Sequence, residues 1–319
     1  MHSKTILVTG GTGSFGHTFI NQALQTDVHE IRCFSRDEMK QQQMKNLISD
    51  SRLRFYLGDI RDYDAILPAI DGVDYVFHAA ALKQVPFSEA FPLEYIKTNI
   101  LGSANLIRAL SKNPSVKSVF LSTDKAVEPL NMMGITKAAM EKLVFGEADL
   151  GNLSACVTRY GNVMGSRGSV IPLFIKLIKS GQPVQITDFA MTRFMMSLGD
   201  SVELVMHALT NGSNGELFVQ KSPAASVRTI LEALCLLYKN VDIQKIVVGY
   251  RPGEKTHETL LTAEEMSRSV ESDRYFQVKK VPMVRSAEDK SYTSFNTTQL
   301  SAGELAQLIE ETPETRTLL

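Results

Sequence analysis

TILVTGGTGSFGHTFI, residues 5–20, is the stretch that decides the fold. A short β-rich apolar run leads straight into glycines at 10, 13 and 16, and a helix is predicted to follow. Glycine is needed where backbone must turn tightly, approach a pyrophosphate, and let a helix pack close to a sheet. A phosphate resting there meets the free N–H groups and the positive dipole of the helix start. The triplet alone is a weak signal, since many turns are glycine-rich. Set between strand and helix, it predicts a dinucleotide site.

The same rhythm continues outward. Apolar runs at 30–35 (EIRCFS), 54–59 (RFYLGD), 75–80 (YVFHAA) and 118–123 (SVFLST) alternate with helical stretches. The segment PLEYIKTNILGSANLIRALSK, starting at Pro92, has the three-and-four spacing of a long amphipathic helix. The prediction is an α/β, doubly wound parallel sheet. Its dinucleotide domain spans residues 1–165, with later returns of the chain to it, and a smaller substrate domain spans 166–319. In the second part, Asp200 with Glu203 is expected to start a helix, MTRFMMS to fill core, and AGELAQLIEE to form a last helix.

Composition narrows the function classes. With 34 basic against 35 acidic residues and no basic run, nucleic acid and anionic membranes are unlikely partners. No stretch of about 18 apolar residues occurs, and the start turns polar too soon for a secretory signal, so the expectation is cytosolic. Cys33, Cys156 and Cys235 show neither paired nor metal spacing, and six histidines form no cluster, so no metal is expected. His78 is expected to be a hydrogen-bonded core residue.

Chemistry-bearing residues follow the strands. FSRDEMKQ lacks the acidic residue that usually ends the second strand of NAD enzymes. Ser35, Arg36 and Lys40 would suit a 2′-phosphate, favouring NADP over NAD. Arg36 stacking on adenine or solvating a helix start is the alternative. Asp59 ends the third strand, positioned for an adenine amino group or a helix cap. Asp124 and Lys125 follow the fifth strand, over the carboxyl edge of the sheet, unless they merely solvate a turn. Then comes NMMGITK, residues 131–137, where Met133 stands four before Lys137. Tyrosine at 133 would give the familiar Tyr-x-x-x-Lys pair, and methionine has no proton to exchange. Lys137 lies one turn on, able to reach a nicotinamide ribose.

The motifs TGGTGSFG, FSRDE, GDIRD, HAAALKQVP, KTNILG, STDKAVEPLNMMGITKAAMEK, RYGNVMGSRGSVIPLF and RPGEK resemble extended short-chain dehydrogenases/reductases acting on UDP-amino sugars. The chain looks most like inverting UDP-N-acetylglucosamine 4,6-dehydratases, in particular the capsule-type 4,6-dehydratase/5-epimerase subgroup, which carries Met-x-x-x-Lys. The tail after about residue 280 is shorter than that subgroup leads one to expect. The resemblance implies oxidation at carbon 4, proton removal at carbon 5, loss of water from carbon 6 and return of hydride. It assigns Lys125 as the carbon 5 base and Asp124 as the acid, with Thr123 or Ser122 on the 4-hydroxyl. A lysine base needs a lowered pKa, which burial or the neighbouring Lys137 cation would provide.

For the cofactor, the resemblance implies Gly10, Thr12, Gly13, Ser14, Phe15 and Gly16 in the loop, then Ser35, Arg36, Lys40, Asp59 and Ile60. It continues with Ala79, Ala80, Ala81, Lys83, Asn99, Ser122, Lys137, Tyr160 and Asn162. For the UDP-sugar it implies Lys83, Asn162, Val170, Arg193, Arg251 and Glu254, and Arg159 and Arg167 are further candidate cations. A homo-oligomer, dimer or hexamer, is implied through helices 92–112 and 132–149. Alternatives are a UDP-sugar 4-epimerase, which has no use for Asp124 with Lys125, and a non-catalytic NADP-binding sensor.

Overall fold

The computed structural model describes residues 2–166, 168–239, 243–250, 253–280 and 289–319. Strands β1 (Thr5–Thr9), β2 (Glu30–Ser35), β3 (Leu53–Leu57), β4 (Tyr75–His78), β5 (Lys117–Leu121) and β6 (Ser154–Arg159) lie parallel in the order β3-β2-β1-β4-β5-β6. Leu217–Gln220 continues the parallel array beside β6. Tyr275–Val278 and Ser269–Glu271 then close the edge antiparallel, making nine strands. The predicted doubly wound sheet is therefore present, and it recruits strands from both halves of the chain.

Alternation along each strand explains the two helical layers. Leu7, Phe34, Val76 and Phe120 face one cluster, with Leu106, Met140 and Val144. Ile6, Val8, Cys33, Phe77 and Val119 face the other, with Phe19, Ile20 and Val205. Successive side chains point to opposite faces of a strand, so a run that is apolar at every position must be covered on both sides. A third cluster around Phe174, Ile186, Met195, Ile230 and Leu305 forms the core of the C-terminal part. Met191, Met195 and Met196 are buried there and beside it, as core.

Some elements differ in detail from the sequence pattern. The stretch from Pro92 to Leu110 is helical but contains a π-helical segment, Ile96–Leu101. The helix expected to begin at Asp200 runs Leu198–Asn211 and is capped by Ser197, with Asp200 closing the capping box from its third position. Ala302–Glu311 forms the last long helix, capped by Ser301. Among the described residues no helix is long and apolar enough to cross a membrane, and no three metal-ligating side chains converge.

Strand order reverses between β1 and β4, which opens a crevice at the carboxyl ends of these strands. The loops after β1, β4, β5 and β6 meet there, and they carry most of the residues the sequence singled out.

Candidate active site

Helix α1 (Ser14–Leu24) begins at Gly13, which has no side chain to occupy its first N–H groups. Gly10 has φ of +68°, and a Cβ there would lie 2.8 Å from Ala80 backbone atoms. At Gly16 a Cβ would lie 2.6 Å from Gly11. The three glycines thus serve a left-handed turn, an open helix start and a tight helix contact. Thr12 is half-buried, Gly13 and Ser14 are exposed, and Phe15 packs on Tyr160 with ring centroids 5.3 Å apart. Behind the loop, Thr9 Oγ1 lies 2.7 Å from His78 Nδ1, and His78 Nε2 lies 2.9 Å from Ser103 Oγ. Burial, helped by the Lys137 charge, pushes His78 down to about 3, so it is a neutral core imidazole.

At the end of β2, Ser35 is buried and its hydroxyl accepts from Gln41 Nε2 at 3.0 Å. Arg36 is half-exposed, with Nη1 3.6 Å from Asp59 Oδ2, and Lys40 pairs with Asp37 at 2.9 Å. Asp59 is gripped by Arg61 at 2.6 Å, and Asp62 rather than Asp59 caps the next helix. Ile60 is buried, Ala79 and Ala80 are half-buried, and Ala81 and Lys83 are exposed beyond β4. Asn99, on the π-helical segment, accepts from the Leu82 N–H at 2.8 Å and donates to Leu82 O and Thr136 Oγ1 at 3.0 Å each. It ties the loop after β4 to the helix Met132–Asp149.

That helix is placed by its first turn. Asn131 caps it, accepting from the Gly134 N–H at 2.9 Å, and its amide donates to Gly253 O at 3.2 Å. A Cβ on Gly134 would overlap the carbonyl oxygen of Lys125. Glycine disfavours helix by about 1 kcal/mol relative to alanine, so contact with the Lys125 turn accounts for it here. Sequence pattern missed Gly134, although a glycine at a helix start was visible. Gly134→Ala is expected to lower turnover roughly a hundredfold, because displacements near 1 Å cost that much in a site built on positioning. Steady-state kinetics with a thermal melt would separate this from unfolding. Met133 is buried, and its carbonyl accepts from Thr136 Oγ1 at 2.8 Å. Lys137 is buried, its amine donating to the Met140 sulfur at 3.2 Å, a weak acceptor. Burial pushes it down to about 8, with Glu141 pulling the other way.

The turn after β5 gathers a hydroxyl, a carboxyl and an amine. Thr123 Oγ1 donates to Asp124 Oδ1 at 2.8 Å, and Lys125 Nζ donates to the same oxygen at 3.1 Å. Glu258, not singled out by sequence, places Oε1 3.4 Å from Lys125 Nζ. Burial alone would lower Lys125, but Asp124 and Glu258 outweigh it and hold the amine above the usual lysine range. The expected lowered pKa at Lys125 is thus reversed, because the group sits between two carboxylates. Burial pushes the Asp124 carboxyl up, more than Lys125 pulls it down, and Glu258 adds to the rise.

Other expected contacts are already engaged. Ser122 donates to Glu141 Oε1 at 2.5 Å. Arg159 pairs with Glu141 at 2.6 Å and with Glu265 at 2.8 Å, so its charge is spent inside the fold rather than held for a phosphate. Arg193 donates to Thr192 O at 2.8 Å and to Thr256 O at 3.2 Å, with Nε 3.7 Å from Glu258. The Asn162 Oδ1 atom, just past the end of β6, is buried without a partner among the described residues. Val170 begins the helix Val170–Lys179 and is half-buried, as is Glu254. Arg167 and Arg251 lie outside the described residues.

The family described as polysaccharide biosynthesis protein matches residues 6–280. The chain belongs to this family. It is an extended short-chain dehydrogenase/reductase, consistent with its sheet order and its glycine loop. A UDP-glucose 4-epimerase of Rickettsia typhi is 45% identical over 330 aligned positions, covering 96% of this chain and 95% of that one. The solved structure of Pen from Bacillus thuringiensis is 36% identical with a TM-score of 0.90, covering 100% of this chain and 99% of its own. The dTDP-glucose 4,6-dehydratase of Streptomyces venezuelae, solved with NAD, shares the fold at 23% identity and a TM-score of 0.73, covering 79% and 86%. Within this extended short-chain dehydrogenase/reductase, the carboxyl-edge turn is thus the place where Asp124 and Lys125 meet, packed against Gly134 of the helix that also carries buried Met133.

Proposed function

We propose that the chain dehydrates UDP-N-acetylglucosamine at carbons 4 and 6, inverting carbon 5, with a nicotinamide dinucleotide held in the β1–β4 crevice. The observation that carries this is the half-buried Asp124–Lys125 hydrogen bond of 3.1 Å, in a chain that has buried Met133 at the usual tyrosine position. A dehydratase needs a base at carbon 5 and an acid at the carbon 6 hydroxyl, together. Moving one proton along this bond turns ammonium and carboxylate into amine and carboxylic acid, which are those two groups. A bound sugar that excludes water favours the uncharged form, since burial penalises charge.

The glycine loop fits a dinucleotide pyrophosphate, and Lys137, whose amine donates to the weakly accepting Met140 thioether, fits a ribose hydroxyl. Bound there, the nicotinamide would supply reversible removal and return of hydride. Thr123 and Asp124 would orient the hydroxyl that is oxidised, and Lys125 would hold or take the carbon-bound proton. Arg36 supports NADP over NAD as the preferred dinucleotide. Arg36→Ala is expected to weaken NADP at least tenfold more than NAD, read by titration of each nucleotide. Equal weakening would reverse the preference.

The 45% identical relative named as an epimerase supports a second proposal, 4-epimerisation. Buried Met133 and the Asp124–Lys125 pair favour dehydration, because epimerisation removes no carbon-bound proton to solvent. Incubating the protein with UDP-N-acetylglucosamine in deuterated water decides. Loss of water with one deuterium at carbon 5 supports dehydration, a 4-epimer without deuterium supports the second reading, and unchanged sugar leaves neither standing.

Self-association belongs to the same proposal. Phe87, Phe91, Leu93, Leu101, Leu130 and Ile135 are exposed along the helices from 85 to 110 and the start of Met132–Asp149. An apolar surface of this kind suits a second copy of the chain.

A further inference from the structure

Glu258 has no role in the chemistry proposed so far, yet it is placed where that chemistry happens. It is 3% exposed, and its backbone is fixed by Ser294, whose hydroxyl accepts from the Glu258 N–H at 2.9 Å. Its Oε1 reaches Lys125 Nζ at 3.4 Å and Arg193 Nε at 3.7 Å. Its Oε2 is buried with no hydrogen-bond partner among the described residues, and so is Oδ2 of Asp124. Leaving buried carboxylate oxygens unpaired is costly, so two of them flanking one ammonium mark a place built for an incoming donor. Sugar hydroxyls are such donors.

We propose that Glu258 is a positioning residue of the proton-handling pair: through its contact with Lys125 it fixes the pH range in which Asp124 and Lys125 share a single proton. Resting on the dehydratase assignment, it follows from what each neighbour does. The pair works when it holds one proton, as ammonium with carboxylate or as amine with acid. A second proton, on Asp124, ends activity at low pH, and loss of the last proton ends it at high pH. The negative charge of Glu258 makes both proton losses harder, so it moves both limits to higher pH. Arg193, 3.7 Å away, works in the opposite direction by balancing Glu258.

Among the described residues, Lys255 and Tyr160 also feel the pair. Lys255 donates to Val127 O and feels Glu258, Glu128, Asp124 and Lys125, while burial lowers its own pKa. Tyr160 is pushed up to about 12 by burial and by Asp124, with Lys125 opposing, so it remains a neutral phenol in the working range. Glu258 itself is held below the usual carboxylate range: burial would raise it, but Lys125, Arg193 and Lys255 outweigh burial. It is therefore a fixed negative charge where Asp124 titrates.

The test is the pH profile of kcat/KM for water loss from UDP-N-acetylglucosamine in the NADP-loaded protein. Glu258→Gln, which keeps the shape and removes the charge, is expected to move both limbs to lower pH by about one unit, a tenfold change in proton concentration. Glu258→Asp, which restores the charge, is expected to return both limbs toward their wild-type positions. Arg193→Gln is expected to move them the other way, and keeps the test open if the Glu258→Gln protein is too unstable to assay. A lysine ε-carbon NMR titration of the same proteins should show the Lys125 signal titrating at lower pH in Glu258→Gln. Profiles that stay in place in both Glu258→Gln and Arg193→Gln would overturn the role. Wild-type protein that releases no water ends the dehydratase assignment instead, so the two failures are distinct.

Discussion

Lys125→Ala is expected to lower kcat for water loss by about a thousandfold while the protein stays folded and still binds its dinucleotide. General acid–base groups contribute factors of roughly a hundred to ten thousand. Lys125 is one end of the proton-sharing bond to Asp124, and no described side chain duplicates its amine at that position. Lys137, a buried amine, is on the helix Met132–Asp149 and donates to Met140, so it does not replace Lys125. The substitution removes a partly exposed side chain, and the glycine loop lies on a different strand, so nucleotide binding should persist. Rapid-quench turnover with fluorescence titration of the nucleotide measures both. Retained turnover would remove Lys125 as the base; lost nucleotide binding would point to a structural role.

The largest loss of stability is expected at Arg159. Its guanidinium joins Glu141 on the helix Met132–Asp149 to Glu265, and donates to Leu260 O at 3.1 Å. Ser122 completes the group by donating to the same Glu141. Arg159→Met leaves buried Glu141 and partly buried Glu265 without their cation, and breaking a buried pair from one side costs about 3–5 kcal/mol. A fall in melting temperature of roughly 6–15 °C is expected from that range. The sign with pH is fixed by the same arrangement. Glu265 is held below its usual range because Arg159 outweighs the effect of burial, so its contribution is present at neutral pH and is lost as pH falls through its lowered folded value. The stability gap between wild type and Arg159→Met should therefore narrow in acid, as calorimetry across pH would show. A constant gap would mean packing, not charge, carries the effect.

Legibility differed by the range of the interactions involved. The alternating strands, the glycine loop, the helix starts and the core methionines could be read because each depends on residues a few positions apart. The capping box at Ser197 was nearly legible and slipped by three residues, since serine and aspartate are both good caps. Asp124 and Lys125 were also found, being adjacent to a strand end. Arg159 looked like a phosphate ligand because nothing local reveals that Glu141 and Glu265 lie against it.

By itself, then, the sequence determined a doubly wound sheet with a glycine loop after its first strand and an Asp-Lys turn at its carboxyl edge, because period and spacing are local properties of the chain. Tertiary structure decided the second carboxylate beside Lys125. Glu258 comes from 133 positions away in sequence to stand 3.4 Å from its amine, and together with the adjacent Asp124 its Coulomb attraction outweighs the burial that would otherwise have made the amine a ready base.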